Sequence, residues 1–401
     1  MLSQVPVRIS RNAVTSTLPP PVYEDPRFEN VALAIVKVTH RCNLDCAYCY
    51  EHIAAGADMD IALFTRLTSK LIRSSKQRSI SIVLHGGEPS IMSRKWLSEA
   101  VNFIRTEARV FGKNVRVGMQ SNMLALSEEK FRLIRDLDIS LGVSMDGPGD
   151  IPDPMRPRAD RATQKYRMGK SLGVKIGVLM TINHSNWNRY TKIMEWLHRD
   201  LKASSCKVNP ITPVGMGIDL PWLTAEQIFR ANKDIVDYMI DNGGEIVEDN
   251  MLREIRRFAG IDNDPNERTL CNRKHCGAGS EVIGITPGGD VLPCGRFGWD
   301  ESHHYLGPVN DITGEIGVAE FNERVDKFHS LVPESWYDCD ECPANNICSF
   351  GCQAFIVRSK KQANVDCLPT KMRFAYFQSR ATELISLAKK LSAHDGPRAR
   401  G

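Results

Sequence analysis

An α/β fold of parallel βα units, followed by a smaller cysteine-rich module with a β-hairpin and helices, is the architecture this sequence predicts. Three observations carry it. Six short β-rich apolar runs alternate with helical patterns through the first half, as strands joined by helical crossovers do. A tight cysteine group follows the first run directly, and eight more cysteines crowd the C-terminal part. Among these later cysteines, alternating β residues flank the Gly-rich turn Pro287-Gly288-Gly289-Asp290, which reads as a hairpin.

The strand-like runs are 31–38, 79–84, 115–119, 139–143, 175–180 and 207–209. Helical patterns span 61–75, 95–109, 127–137, 164–172 and 187–197. Past the sixth run, 224–242 and 248–258 are amphipathic and are expected to bridge to the later module. The hairpin should pair 281–286 with 291–293, and 373–391 should form one closing helix. The expected organisation is an N-terminal arm (1–30, with Pro19, Pro20 and Pro21), a βα domain (31–210), a helical bridge (211–265), a cysteine-rich domain (266–387) and a flexible tail (388–401).

At 401 residues the chain is long enough for two or three domains. Its 52 basic and 48 acidic residues nearly balance, so no nucleic-acid partner is expected. No apolar run approaches the ~20 residues of a membrane span, and 1–30 lack the apolar core of a secretory signal. A cytoplasmic location is expected. There thiols stay reduced, so the twelve cysteines point to metal or redox chemistry rather than to disulfides.

The first group, Cys42-Asn43-Leu44-Asp45-Cys46-Ala47-Tyr48-Cys49, follows a C-x3-C-x2-C pattern at a strand's C-terminal end, where α/β folds bind ligands. A four-iron cubane takes four ligands, usually thiolates. Three cysteines leave one iron open, by the logic that separates catalytic from structural metal sites. A zinc site completed by His40 is the alternative on this segment alone. The second run leads into His85-Gly86-Gly87-Glu88-Pro89. Paired glycines let a backbone pass close to a ligand, and a strand-end carboxylate accepts hydrogen bonds from an ammonium group. Taken alone, it reads equally well as a turn.

Cys42, Cys46 and Cys49, with the aromatic Tyr48, resemble the cluster motif of the radical S-adenosylmethionine (SAM) superfamily. Gly86, Gly87 and Glu88 resemble that family's motif for the SAM amino group. The resemblance implies a partial six-unit βα barrel over 31–210 and a 4Fe–4S cluster whose open iron is chelated by SAM. Reductive cleavage of SAM would then give a 5′-deoxyadenosyl radical. Gln120-Ser121-Asn122 and Ser144-Met145-Asp146-Gly147-Pro148 resemble strand ends of the peptide-modifying branch, implying ribose and carboxylate contacts from Gln120, Asn122 and Ser144, the last in preference to Asp146. Strand-capping turns are the alternative. Arg161 stands where that branch often places an arginine for the SAM carboxylate, and a solvated helix arginine is an equal reading.

The later cysteines Cys271, Cys276, Cys294, Cys339, Cys342, Cys348, Cys352 and Cys367 suit two four-ligand clusters, leaving Cys206 as an inert core thiol. Their hairpin resembles that of the SPASM domain, the auxiliary-cluster module of radical SAM enzymes that modify peptides and proteins. The resemblance implies that Cys271, Cys276, Cys294 and Cys352 bind one 4Fe–4S cluster and Cys339, Cys342, Cys348 and Cys367 the other. That makes three clusters with SAM. Two structural zinc sites are the alternative.

SPASM members with both auxiliary clusters mostly act on ribosomal peptides or on a protein's cysteine or serine. The expected reaction is therefore oxidative modification of a precursor peptide, as an intramolecular cross-link of carbon–carbon cyclophane, carbon–oxygen or thioether type. Members that make formylglycine often carry an aspartate base just after the hairpin cysteine. Here the run is Cys294-Gly295-Arg296-Phe297, and glycine takes no proton. That run looks more like cyclophane-forming maturases, and Arg296 is a candidate partner for a peptide carboxylate or for a structural ion pair. No catalytic acid or base is singled out. The partners expected are the precursor peptide and an electron donor such as flavodoxin or ferredoxin, with no nucleic acid and no membrane. The residues ahead of the first strand are too few for a leader-gripping winged-helix domain. Asp311 to Glu315 read as solvated surface. Formylglycine synthesis, a small-molecule radical dehydrogenase and a non-enzymatic zinc module are the rival readings.

Overall fold

The computed structural model describes residues 25–51, 58–151, 155–261, 271, 276–297, 306–308, 318–330, 338–359 and 364–394. Six parallel strands lie side by side in chain order: β1 (Leu33–Thr39), β2 (Ser79–Gly86), β3 (Asn114–Ser121), β4 (Ser140–Ser144), β5 (Ile176–Ile182) and β6 (Ser205–Pro210). Helices α1 (Ile61–Ser74), α2 (Arg94–Val110), α3 (Glu128–Asp136), α4 (Ala159–Ser171) and α5 (Tyr190–Glu195) connect them. The strands form because β-branched and apolar residues alternate with smaller or polar ones. In β2 the alternation buries Ile80, Ile82 and Leu84 completely or nearly so. Helix starts are capped by short polar side chains: Asp60 accepts from the Ala62 and Leu63 N–H groups, Ser93 from Trp96 and Ser127 from Lys130.

These elements fall close to the periodic segments of the sequence, with two differences. Helix α4 begins at Ala159, five residues ahead of its pattern, after Arg158 in a left-handed conformation (φ 69°) and with no side-chain cap. Helix α5 is short and ends in a π-helical turn, Trp196–Asp200. Cys206 lies buried in β6 beside Met194.

The sheet continues at both ends, so β1 and β6 do not close on each other. Strand β7 (Val247–Glu248) extends β6. The predicted hairpin is present as β8 (Val282–Ile285) and β9 (Asp290–Leu292), and β10 (Gly307–Pro308) adds to β9. Strand β8 also pairs in parallel with β1, from Leu33↔Val282 to Val36↔Ile285. The cysteine-rich region is thereby stitched into the barrel sheet. Just before β1, Asp25, Arg27 and Phe28 are buried, so the last residues of the expected arm are packed. Residues 1–24, 311–315 and 395–401, expected as arm, solvated surface and tail, lie outside the described residues.

The bridge consists of α6 (Ala225–Asp241), closed by a Thr224/Gln227 capping box, and α7 (Asp249–Phe258). Further along come α8 (Val318–Ser330), α9 (Gln353–Arg358), α10 (Cys367–Ser379) and α11 (Ala381–His394). The single closing helix expected over 373–391 is thus two helices, and 388–394 are helical rather than tail. The break falls at Arg380 (φ −119°, ψ 25°), whose guanidinium pairs with both Asp237 of α6 and Glu383. Tertiary contacts, and no breaker residue, set the bend. Among the described residues no helix is long and apolar enough to cross a membrane.

Helix α10 is fastened to α7 by a buried guanidinium. Arg373, 2% exposed, donates to Glu254 through Nε and Nη2 (2.7 Å each) and to Asp366 through Nη1 (3.0 Å) and Nη2 (3.1 Å). Removing Glu254 takes away two of the guanidinium's four carboxylate hydrogen bonds and leaves Asp366 as its remaining carboxylate partner. Glu254→Ala is expected to cost about 3 kcal/mol of stability, measured by chemical denaturation. Glu320→Ala, which removes an exposed i,i+4 partner of Arg324, should change almost nothing. Equal effects from the two would show that the buried network is not structural.

Candidate active site

The loop bearing Cys42, Cys46 and Cys49 hangs from the C-terminal end of β1, and the end of β2 is pressed against it. Gly86 has φ +119°, and a Cβ there would lie 2.2 Å from the Thr39 carbonyl oxygen. A Cβ on Gly87 would lie 2.3 Å from the Arg41 oxygen. The Gly87 N–H donates to Thr39 O (2.9 Å) and the Glu88 N–H to Arg41 O (2.8 Å). The close neighbours of the glycines are therefore the cysteine loop's own backbone, where the sequence suggested a ligand. Glu88 is 1% exposed. Its Oε1 accepts from Ser90 N–H (2.9 Å) and Ser121 Oγ (2.7 Å), and its Oε2 from Asn122 N–H (2.6 Å). Burial raises its carboxyl pKa, with these donors pulling the other way. A carboxylate offers about four acceptor sites, and these donors occupy three of them.

Beside it, Asn122 Nδ2 donates to Asn43 Oδ1 (2.8 Å) and lies 3.9 Å from Cys42 Sγ. Gln120 Nε2 donates to Ser144 Oγ (2.7 Å). Gly142 makes room for that amide, since a Cβ there would sit 2.3 Å from Gln120 Oε1. Leu44, Asn122, Ser144 and Arg156 line one cleft over the cysteine loop. Asp146, 3% exposed, is committed inside the fold: it accepts from the Tyr48 hydroxyl, from Arg156 Nε (2.9 Å) and from Thr181 N–H (2.8 Å). Tyr48 thus spends its hydroxyl on Asp146, and its ring lies 5.3 Å from the Arg156 guanidinium carbon. Arg156 Nη1 also reaches Cys46 Sγ at 3.7 Å. Sequence reasoning missed Arg156. Its one signal was a basic residue ten positions beyond a strand-end aspartate, in a Pro- and Arg-rich stretch. Arg161 is exposed on α4 and outside that cleft.

Cys271, Cys276, Cys294 and Cys352 converge on one cavity of about 410 Å³ between β6, α7 and the hairpin. Burial, followed by the neighbouring thiols, pushes Cys276 up to about 12. Cys339, Cys342, Cys348 and Cys367 gather in a second neighbourhood. The Cys342 N–H donates to Cys339 O, Asn345 Nδ2 donates to the same carbonyl, and Cys367 faces the charges of Cys342 and Cys348. Among the described residues no three His, Cys, Asp or Glu side chains stand at single-ion spacing. The donor chemistry fits cubanes: thiols alone, three in the first set and four in each later set. Burial holds Cys49 at about 12. A bound metal reverses that preference by taking the thiolate.

The first loop and the cavity wall are bolted together. Lys37 of β1, fully buried, pairs with Glu51 (2.6 Å) and donates to the Phe297 carbonyl. The Tyr50 hydroxyl meets His85 Nε2 at 3.1 Å, while His85 Nδ1 accepts from the Gly86 N–H, which assigns the proton to Nε2. Burial, with the Lys37 and Arg296 charges, lowers His85 to about 3, so its ring is neutral. Arg358 of α9 donates to the carbonyls of both Arg296 and Tyr50. A Cβ on Gly295 would fall 2.5 Å from Ile35 Cγ2.

Gly87→Ala should therefore displace the cysteine loop at a cost of about 1–3 kcal/mol. Gly177→Ala, whose added Cβ meets nothing within 4 Å, should leave stability unchanged or slightly raised. Thermal denaturation of both variants checks this, and a Gly87→Ala midpoint equal to wild type would refute the close-approach argument.

A model of the radical SAM superfamily matches residues 36–197. The antilisterial bacteriocin subtilosin biosynthesis protein AlbA of Bacillus subtilis is 25% identical over 345 residues, 82% of this chain and 68% of that protein. A cysteine-type anaerobic sulfatase-maturating enzyme of Clostridium novyi is 22% identical over 403 residues, 91% of this chain and 99% of that protein. The solved structure of native anSMEcpe with bound AdoMet and Cp18Cys peptide has a TM-score of 0.72 at 18% identity, covering 90% of this chain and 99% of that one. At that identity the likeness speaks for the fold. With its three-cysteine loop, its parallel sheet and these relatives, the chain is an enzyme that carries a radical SAM domain over residues 36–197.

Proposed function

We propose that the chain is a maturase that oxidatively cross-links a ribosomal precursor peptide. The observation that carries the reading is the junction of the two cysteine regions: Cys271, Cys276, Cys294 and Cys352 line one cavity with Arg296, and Tyr50 of the first cysteine loop lies against that same Arg296. The relatives named above serve bacteriocin biosynthesis and sulfatase maturation, as their names state.

In this reading Cys42, Cys46 and Cys49 hold one 4Fe–4S cluster with an open iron. Glu88 and the Gly86-Gly87 carbonyls receive the SAM amino group, and Gln120, Asn122 and Ser144 orient its ribose and carboxylate. Arg156 holds Asp146 and Tyr48 in place beneath them and sets a positive charge beside Cys46. When bound, the cluster and SAM supply a 5′-deoxyadenosyl radical, a one-electron hydrogen abstractor. The two later cysteine sets hold auxiliary 4Fe–4S clusters, and a flavodoxin or ferredoxin delivers electrons. Formylglycine synthesis is the second reading, favoured by the near full-length match to the Clostridium enzyme. Against it stands Gly295: a side chain there would collide with Ile35, so the position has no room for the aspartate base.

Incubation of anaerobically reconstituted full chain, SAM and dithionite with the peptide encoded beside it should remove two hydrogens from the peptide without creating an aldehyde. A hydrazine-reactive aldehyde would shift the assignment to formylglycine. Alanine at positions 42, 46 and 49 should reduce 5′-deoxyadenosine formation to background, and undiminished formation would overturn the reading altogether.

A further inference from the structure

Arg296 follows Cys294 by two residues, and everything around it limits its movement. Its guanidinium carbon lies 5.5 Å from the centroid of the Tyr50 ring and 4.7 Å from that of Phe355. Its backbone carbonyl accepts from Arg358, and the next carbonyl, of Phe297, accepts from Lys37. Phe355 and Arg358 both belong to α9, whose N-cap is Cys352. The Tyr50 and Phe355 rings meet edge to face at 6.1 Å, and the cation packed against both is anchored to a helix that begins at one cysteine and a strand end that carries another. Arg296 shares a cavity wall with the four thiols and lies within electrostatic reach of Cys352, Cys271 and Cys294. Among the described residues its partners are these rings and sulfurs.

We infer that Arg296 sets the reduction potential of the auxiliary cluster on Cys271, Cys276, Cys294 and Cys352, favouring its one-electron-reduced state. The inference rests on the reading that these cysteines hold a 4Fe–4S cluster. Reduction adds one electron, hence one negative charge, and makes or breaks no bond. A fixed positive charge nearby stabilises the more negative state, and net charge around a cluster is one of the terms that set its potential. Packing against two rings keeps the guanidinium from swinging into water, which would screen it. Because Tyr50 is bonded to Cys49, the same packing also touches the first cluster's loop.

The test uses the full chain with Cys42, Cys46 and Cys49 changed to alanine, so that potentiometric titration followed by electron paramagnetic resonance reads auxiliary clusters alone. Arg296→Gln should lower one midpoint potential by at least tenfold in the reduction equilibrium, about 59 mV for one electron. The other midpoint should not move, and Arg296→Lys should recover most of the shift. Unchanged midpoints at equal iron content overturn the inference, as does a shift that lysine fails to lessen. Should Arg296→Gln lose the cluster, Phe355→Leu asks the same question with the charge retained: a lowered midpoint supports a seated cation and an unmoved one refutes it. A triple-alanine chain that binds no iron sinks the cluster assignment itself, and this inference with it.

Discussion

An ammonium group sealed from water at the end of β1 fixes how the two cysteine regions meet. Lys37 is fully buried, and a charge in that position is tolerated only when partners surround it. Those partners are Glu51, two residues past Cys49, and the Phe297 carbonyl, three past Cys294. Satisfying one side chain therefore draws both cysteine-bearing segments to the same strand end. Parallel pairing of β8 with β1 and the fit of Gly295 against Ile35 reinforce the same approach. The geometry of the catalytic region follows from this meeting point.

Carboxylates and arginines in the first site serve as braces, and in the cleft Asn122 and Ser144 stand beside the braced Asp146 and Arg156. Asp146 is tied to Tyr48, Arg156 and Thr181, and Glu88 spans the ends of β2 and β3. Buried charges with several partners make rigid supports, and rigid supports keep a binding cleft in one shape. Gln120, Asn122 and Ser144 are left to present neutral polar groups. This division suits a zwitterionic cofactor, whose charges need few but well-aimed partners.

Local pattern made the six barrel strands, their helices and the hairpin legible, because each reflects a period of two or 3.6 written into neighbouring residues. The cysteine groups were legible because spacing is itself the chemical signal. Contacts between distant segments were not. Nothing in Val282 to Ile285 says that β1 is its second neighbour, since an apolar strand fits any apolar edge. Arg156 hid in a loop where arginines are common and only the folded position makes one of them special. The two glycines of the second motif were visible as a need for close approach, but the object approached, the Thr39 and Arg41 carbonyls, is known only from the fold. The bend at Arg380 arises from side chains on α6 and α11, which no local propensity encodes.

The seating of β8 beside β1 also constrains how the molecule is made. A ribosome releases the first cysteine loop early, yet the strand that carries it lacks one of its two flanking strands until the hairpin has been synthesised. During that interval β1 is an open edge, prone to pairing with other chains. A chain cut off after the barrel would keep its three-cysteine loop but lose the strand that flanks β1.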